Sequence, residues 1–437
     1  MRAETLSKIS KYLRHYAVPE SSFEPVPDIE FAHLLVVPVY DESDLAIERL
    51  CTVPAGIRTE PCLIILVFNA PQGGDESARL RTEQSLQGLL DGRAFEALDG
   101  GRYLHTSAQN HSILALDYVS GERCLPAKQG VGLARKLGID SGLFLLAENA
   151  RRGRVTPSWI HCSDADVVFP DDYFNIAEPR TGQVACIYPF QHKAEPDWEV
   201  PIQLYEWRLH YYVEALRWAG SPYAFHTVGS TISLTPEAYA TVRGMPRRAG
   251  GEDFYLLNKV AKIGSVDTLD YPVLVIAGRP SQRVPFGTGP ALQGISELGD
   301  PVVDYRLYHP QSFYLLKIFL DALYNVADSC KALALFEREV EAQWRQNLTP
   351  GDAEILAQVL ARLGIGSLFR HLAKQSCAKP RKVIDAWFDG FVTLKFVHHV
   401  RDVALPDVPL AELSKLADWL PSALQSSLNE LMKARCR

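Results

Sequence analysis

The sequence predicts an α/β protein: a mixed, mostly parallel sheet with helices on both faces, followed by a helical C-terminal domain. Three observations carry this reading. Short apolar runs alternate with segments of helical period. The runs are apolar throughout, as in strands covered on both faces. Polar residues gather where the runs end: Asp41 and Glu42, Asn69, Asp164 and Asp166.

Taken in order, HLLVVPVYDES is a strand that breaks into a polar loop, and DLAIERLCTV continues at helical period. PCLIILVFNA is a second strand, closed by Asn69 and PQGG. Residues 75–100 read as helix plus loop with GG punctuation. SILALDYV is a third strand, GVGLARKLGIDSGLFLLAENA a long helix, and SWIHCSDADVVFP a strand with an acidic end. VACIYPFQH is a strand, and residues 201–219 form an aromatic-rich helix. HTVGSTISLT is extended. TPEAYATV then starts a helix with Thr235 as cap and Pro236 in its first turn. GGEDFYLLNKVAKIG is an amphipathic helix, YPVLVIAG a last strand, and the chain from about residue 305 is almost wholly helical.

Of the 437 residues, 47% are apolar and 22% charged. That is the balance of a globular protein with two or three domains. The expected limits are 1–30 for a helical N-terminal extension, 31–300 for the α/β domain and 301–437 for the helical domain. A formal net charge of -7 argues against a general nucleic-acid binder, which needs a basic excess. No window approaches the roughly twenty apolar residues that span a bilayer. The N-terminal stretch has Leu6, Ile9 and Leu13 at helical spacing rather than a continuous apolar core, so a surface helix is expected, not a signal peptide. The eight cysteines show no metal-ligand spacing and several sit inside apolar runs, which fits reduced thiols in a cytoplasmic protein.

Two acidic pairs carry chemistry. Asp164 and Asp166 lie two apart at a strand end, where extended geometry would project both carboxylates to one side. Paired hard oxygen donors suit Mg²⁺ or Mn²⁺, with phosphate oxygens completing the shell. A solvated turn is the plainer reading of the same residues. Glu252 and Asp253 open a helix after Gly250 and Gly251. They read either as acids complementing the helix dipole or as a site where one carboxylate, Asp253, is a general base.

Together these segments resemble the GT-A-fold glycosyltransferases of the family-2 type. VVPVYDES resembles that family's opening PVYNE signature, and KQGVGLARKLGIDSG its Lys/Gly…Ala-Arg-Asn…Gly helix. SDADVVFP is similar to its DxD segment, and GSTISLTPEAYATVRGMP followed by GGEDFYL to its acceptor strand, helix and Glu-Asp motif. The four occur in the family's order over about residues 31–275. The resemblance implies a Rossmann-like GT-A domain that moves a sugar from a nucleoside-diphosphate donor, UDP- or GDP-linked, to an acceptor hydroxyl. It implies that Pro38, Tyr40 and Glu42 line the nucleoside pocket, and that Lys128 and Arg135 face the donor's base or diphosphate. Asp164 and Asp166 would hold the donor through Mg²⁺ or Mn²⁺. Asp253 would be the base of an inverting displacement, supported by Glu252. There are departures: FNAPQGG stands where the family has Asp-Asp-Gly-Ser, so Asn69 replaces a base-reading acid, and Lys136 stands where Asn is usual. The QxxRW signature of processive synthases is not evident.

The segment GRPSQRVPFGTGP follows the last strand. Arg279 and Arg283 in it read either as diphosphate ligands under a closing glycine-rich loop or as solvated surface arginines. His309 is a further candidate for the metal shell, and a structural histidine is the alternative. Rival readings are a retaining transferase of the mannosylglycerate or glucosylphosphoglycerate synthase type, a nucleotidyltransferase, and a non-catalytic binding module. The helical tail is expected to cap the acceptor site, to form a homodimer, or both.

Overall fold

The computed structural model describes residues 1–53, 60–108, 111–281, 287–329, 335–374 and 379–434. The chain divides into two compact units. The first comprises Met1–Lys193 with Thr227–Gly289, the second Ala194–His226 with Pro290–Arg437.

The strands of the first unit are β1 (His33–Val39), β2 (Cys62–Asn69), β3 (Glu96–Leu98), β4 (Arg102–Thr106), β5 (Ser112–Tyr118), β6 (Ile160–Cys162), β7 (Val167–Val168), β8 (Gln183–Ile187), β9 (Phe190–Lys193), β10 (Ile232–Leu234), β11 (Ser265–Thr268) and β12 (Leu274–Ala277). The helices up to residue 260 are α1 (Ala3–His15), α2 (Asp44–Thr52), α3 (Glu76–Asp91), α4 (Gly130–Arg151), α5 (Glu199–Trp218), α6 (Pro236–Thr241) and α7 (Glu252–Val260); α5 belongs to the second unit. Nine strands form one sheet in the order β11-β8-β10-β6-β1-β2-β5-β4-β3, and β7, β12 and β9 form a smaller one. The four central strands, β6, β1, β2 and β5, run parallel, and the antiparallel pairs lie to either side of them. All eight residues of β2 and all but the first of β1 are buried, as their unbroken apolar runs require.

α4 lies against β1 and β2 at a distance set by glycine. A Cβ on Gly138 would come 2.4 Å from Val36 Cγ1 and 2.9 Å from Val67 Cγ2. Gly138→Ala is therefore expected to destabilise the unit by about 1–3 kcal/mol through overpacking. Urea unfolding followed by tryptophan fluorescence measures it, and an unchanged midpoint would refute the packing argument.

α1 is part of this unit rather than a separate extension. Asp140 of α4, fully buried, accepts from Tyr12 Oη at 2.6 Å, Tyr239 Oη at 2.9 Å and Val18 N at 2.9 Å. Lys136, one turn earlier on α4, lies 3.0 Å from Asp140 and donates to Tyr12 Oη at 2.5 Å. Thr5 and Lys8 both reach Glu237 of α6 at 2.6 Å. The lysine that departs from the family pattern is thus the buried counter-ion that seats α1.

The second unit takes in α5 as well as the helical tail, so its boundary differs from an expected break at residue 300. The reason is the aromatic face of α5: Tyr211 stacks on Trp207 and Trp419, within a core that includes Phe313, Phe319 and Phe396. These α5 aromatics serve packing. Among its described residues the tail is mostly helical, and its short strands Arg306–Leu307 and Val408–Pro409 pair with each other. Among the described residues no helix is long and apolar enough to cross a membrane.

Candidate active site

The order of strands reverses at β1: β2 and β5 follow on one side, β6 on the other. In open α/β sheets ligands bind in the crevice outside the carboxyl ends of the strands flanking such a point. β1 brings Pro38, buried and in register with Val67, then half-buried Tyr40 just beyond the strand. Asp41 turns the chain with φ +56°, its carboxylate on Arg81 Nε at 2.7 Å and its N–H on Thr82 Oγ1 at 2.8 Å. Glu42 follows, nearly buried, with both carboxylate oxygens 2.5 Å from Arg279 Nη2. Arg279 comes from the segment after β12, which Ala277 N ties to the Asp166 carbonyl at 3.2 Å. Its Nη2 also stands 4.0 Å from Asp166 Oδ2, and its Nε is buried without a hydrogen bond.

Asp164 and Asp166 lie in the turn between β6 and β7, not on an extended strand. The turn is closed by Val167 N on the Asp164 carbonyl at 3.3 Å. Asp164 Oδ1 faces Arg135 Nη2 at 2.5 Å, while Asp166 faces Arg279. Each acid of the pair thus has an arginine beside it.

Arg135 is only 3% exposed. Its Nε donates to Glu252 Oε1 at 3.0 Å, its Nη1 to the Ser163 carbonyl at 2.9 Å, and its Nη2 to Asp164. It was expected to face the donor; instead its guanidinium is spent inward, because burying it requires every N–H edge to find an acceptor. Glu252 is likewise buried and serves Arg135.

α7 starts at Gly251, whose φ of +68° is the left-handed conformation that glycine adopts without cost. The helix then presents Asp253, half-buried, with Oδ1 accepting from Phe254 N at 2.7 Å and Oδ2 carrying no hydrogen bond from a described residue. Burial, then repulsion from Glu252, pushes the Asp253 carboxyl up to about 7, against the pull of Phe254 N–H and Arg135. Gly229 faces both groups: a Cβ there would lie 2.8 Å from Arg135 Nη2 and 3.3 Å from Asp253 Oδ2. Sequence reading missed Gly229 and the Ser163 carbonyl. Neither has a local signal, since their role lies in a contact between distant segments.

Other candidates lie elsewhere. Asn69 is buried, its amide donating to the carbonyls of Val39 at 3.2 Å and Val67 at 2.9 Å, so it ties the ends of β1 and β2 together. Lys128 is exposed in the turn before α4. Arg283 lies outside the described residues. His309 belongs to the second unit, where its Nδ1 accepts from Gln311 N at 3.1 Å and burial lowers its basicity. Among the described residues no three His, Cys, Asp or Glu side chains are grouped to hold a metal ion. A cavity of about 520 Å³ opens past β2 and β5, lined by Gln72, Gly73, Gly74, Asp75, Glu122 and Cys124.

No family model matches the chain. No curated protein matches it. Among solved structures, it is similar to a mannosyltransferase from Pyrobaculum calidifontis in complex with GDP-Man and Mn²⁺. The alignment covers 87% of this chain and 92% of that one, at 14% identity and a TM-score of 0.34.

Proposed function

We propose that the first unit is a glycosyltransferase domain of the GT-A, family-2 type, which moves a sugar from a nucleoside-diphosphate donor to an acceptor hydroxyl with inversion. One observation carries this reading. At the sheet's switch point Asp164 is joined through Arg135 to Glu252, whose neighbour Asp253 has a carboxyl raised to about 7, while Asp166 stands beside Arg279. That constellation supplies charge control for a leaving diphosphate and a base poised near neutrality.

The donor lies with its nucleoside over Tyr40 and towards the cavity past β2 and β5, and its diphosphate near Asp164, Asp166 and Arg279. Diphosphate oxygens draw Arg279 through its forked N–H groups. Two carboxylates suit a Mg²⁺ or Mn²⁺ shared with phosphate oxygens, since such ions take one or two protein carboxylates and complete their shell from the substrate. When bound, the ion neutralises charge on the departing diphosphate. The acceptor hydroxyl gives its proton to Asp253 Oδ2 as its oxygen bonds to the anomeric carbon. The bond from that carbon to the diphosphate breaks, and its electron pair leaves with the phosphate. Turning the acceptor oxygen onto the face opposite the leaving group inverts the anomeric centre.

Isothermal titration of UDP, GDP, dTDP and ADP, each with and without Mn²⁺, tests the donor site. One nucleotide is expected to bind, and the Asp164→Ala/Asp166→Ala protein is expected to lose about 10- to 100-fold in affinity, a few kcal/mol of charge-assisted contacts. Binding of none, or equal binding by the double variant, would overturn the assignment.

A further inference from the structure

We propose that Arg135 is a positioning residue that fixes the distance between the donor acid Asp164 and the base helix α7. The proposal rests on the function proposed above only for its catalytic consequence. Arg135 is bonded both to the β6–β7 turn, through the Ser163 carbonyl and Asp164, and to α7, through Glu252. Its guanidinium is a rigid planar fork, so three acceptors held on it have fixed mutual geometry. Asp253 follows Glu252 directly and its Oδ2 faces the same glycine, Gly229, as Arg135 Nη2. A side chain at 229 would crowd the guanidinium, because its Cβ would lie 2.8 Å from Arg135 Nη2.

The consequence is that β6, α4 and α7, far apart in sequence, are joined at the site by one cation, in addition to the backbone bond from Gly132 N of α4 to the Arg248 carbonyl ahead of α7 at 2.9 Å. A misplacement of about 1 Å at a reacting centre lowers rates by about 100-fold. Loss of Arg135 should thus act on turnover more than on donor binding.

Two measurements test this. The first needs no substrate: urea stability of Asp164→Asn, Glu252→Gln and the double variant, in the wild-type and Arg135→Gln backgrounds. With Arg135 present, the loss in the double variant is expected to differ from the sum of the two singles, because both acids act on one buried guanidinium; without Arg135 the losses should add. Additive losses in the wild-type background would overturn the proposal, whether or not the protein transfers sugar. The second is steady-state kinetics of Arg135→Lys, whose point charge cannot serve both acids, and of Gly229→Ala, which keeps every charge and crowds the guanidinium at 2.8 Å more than Asp253 Oδ2 at 3.3 Å. Both are expected to lower kcat by about 10- to 100-fold with donor KM within about threefold. Unchanged kcat in folded Gly229→Ala and Arg135→Lys would equally overturn it. If no donor supports transfer in the wild type while the stability coupling is present, the proposed activity fails and the positioning role stands.

Discussion

Asp253→Asn is expected to lower sugar transfer by about 100- to 10,000-fold, the usual contribution of a positioned general base. Donor binding should persist, because Asp164, Asp166 and Arg279 are untouched. In the wild type, kcat/KM should climb with pH and level off above about 7, where Asp253 is ionised. The same group has a stability signature of opposite sense. A folded carboxyl raised above its unfolded value holds a proton that the unfolded chain has already released, so stability falls as pH rises from the ordinary carboxylate range to about 7. Above that point the full cost is present. Asp253→Asn, which is never charged, should therefore melt higher than wild type above neutrality, and the gap should close in mild acid. Calorimetry across that range checks it. A variant that transfers sugar at the wild-type rate with an unchanged pH profile would remove Asp253 from the chemistry.

Asp140→Ala should produce the largest loss of stability, about 3–5 kcal/mol, because it leaves Lys136 buried without its counter-ion. It also strips acceptors from the Tyr12 and Tyr239 hydroxyls and the Val18 amide. The loss should centre on α1, which those bonds hold to α4 and α6. Hydrogen exchange over residues 3–21 is expected to speed up before the central strands respond. Adding Lys136→Met should restore part of the loss, since an empty apolar pair costs less than one stranded charge. Unchanged exchange in α1 would show that apolar contacts, not Asp140, seat the helix.

Strands β1, β2, β5 and β6 were legible because burial on both faces demands unbroken apolar runs, and α4 because its period is long and clean. The Thr235 cap and Pro236 start of α6 were also readable; Thr235 Oγ1 accepts from Ala238 N at 3.2 Å. The loop expected at the end of residues 75–100 holds β3, and the β3–β4 hairpin carries a weaker signal. Its strands are short and half-exposed, and the signal lay in Gly100 and Gly101, both at positive φ. At the site, residue types were legible but their pairing was not. Spacing put Asp164 and Asp166 together; the turn at residues 165–166 handed them to Arg135 and Arg279. Nothing local to GLARK states that Arg135 points inward, since its acceptors come from segments 28 and 117 residues away.

The seating of α1 on α6 bears on how the polypeptide matures on the ribosome. Thr5 and its partner Glu237 are 232 residues apart. At about 5–20 residues per second, α1 waits roughly 10–45 s after its own synthesis before the α6 side of its dock exists, although α4 emerges earlier. In that interval Tyr12 lacks its edge contact with Tyr239. The segment Ala194–His226, which the second unit needs, also emerges before Thr227–Gly289 completes the first. Neither unit can close on a strict first-in, first-folded schedule, so a nascent chain stalled near residue 230 is the species most exposed to chaperone capture and to proteolysis.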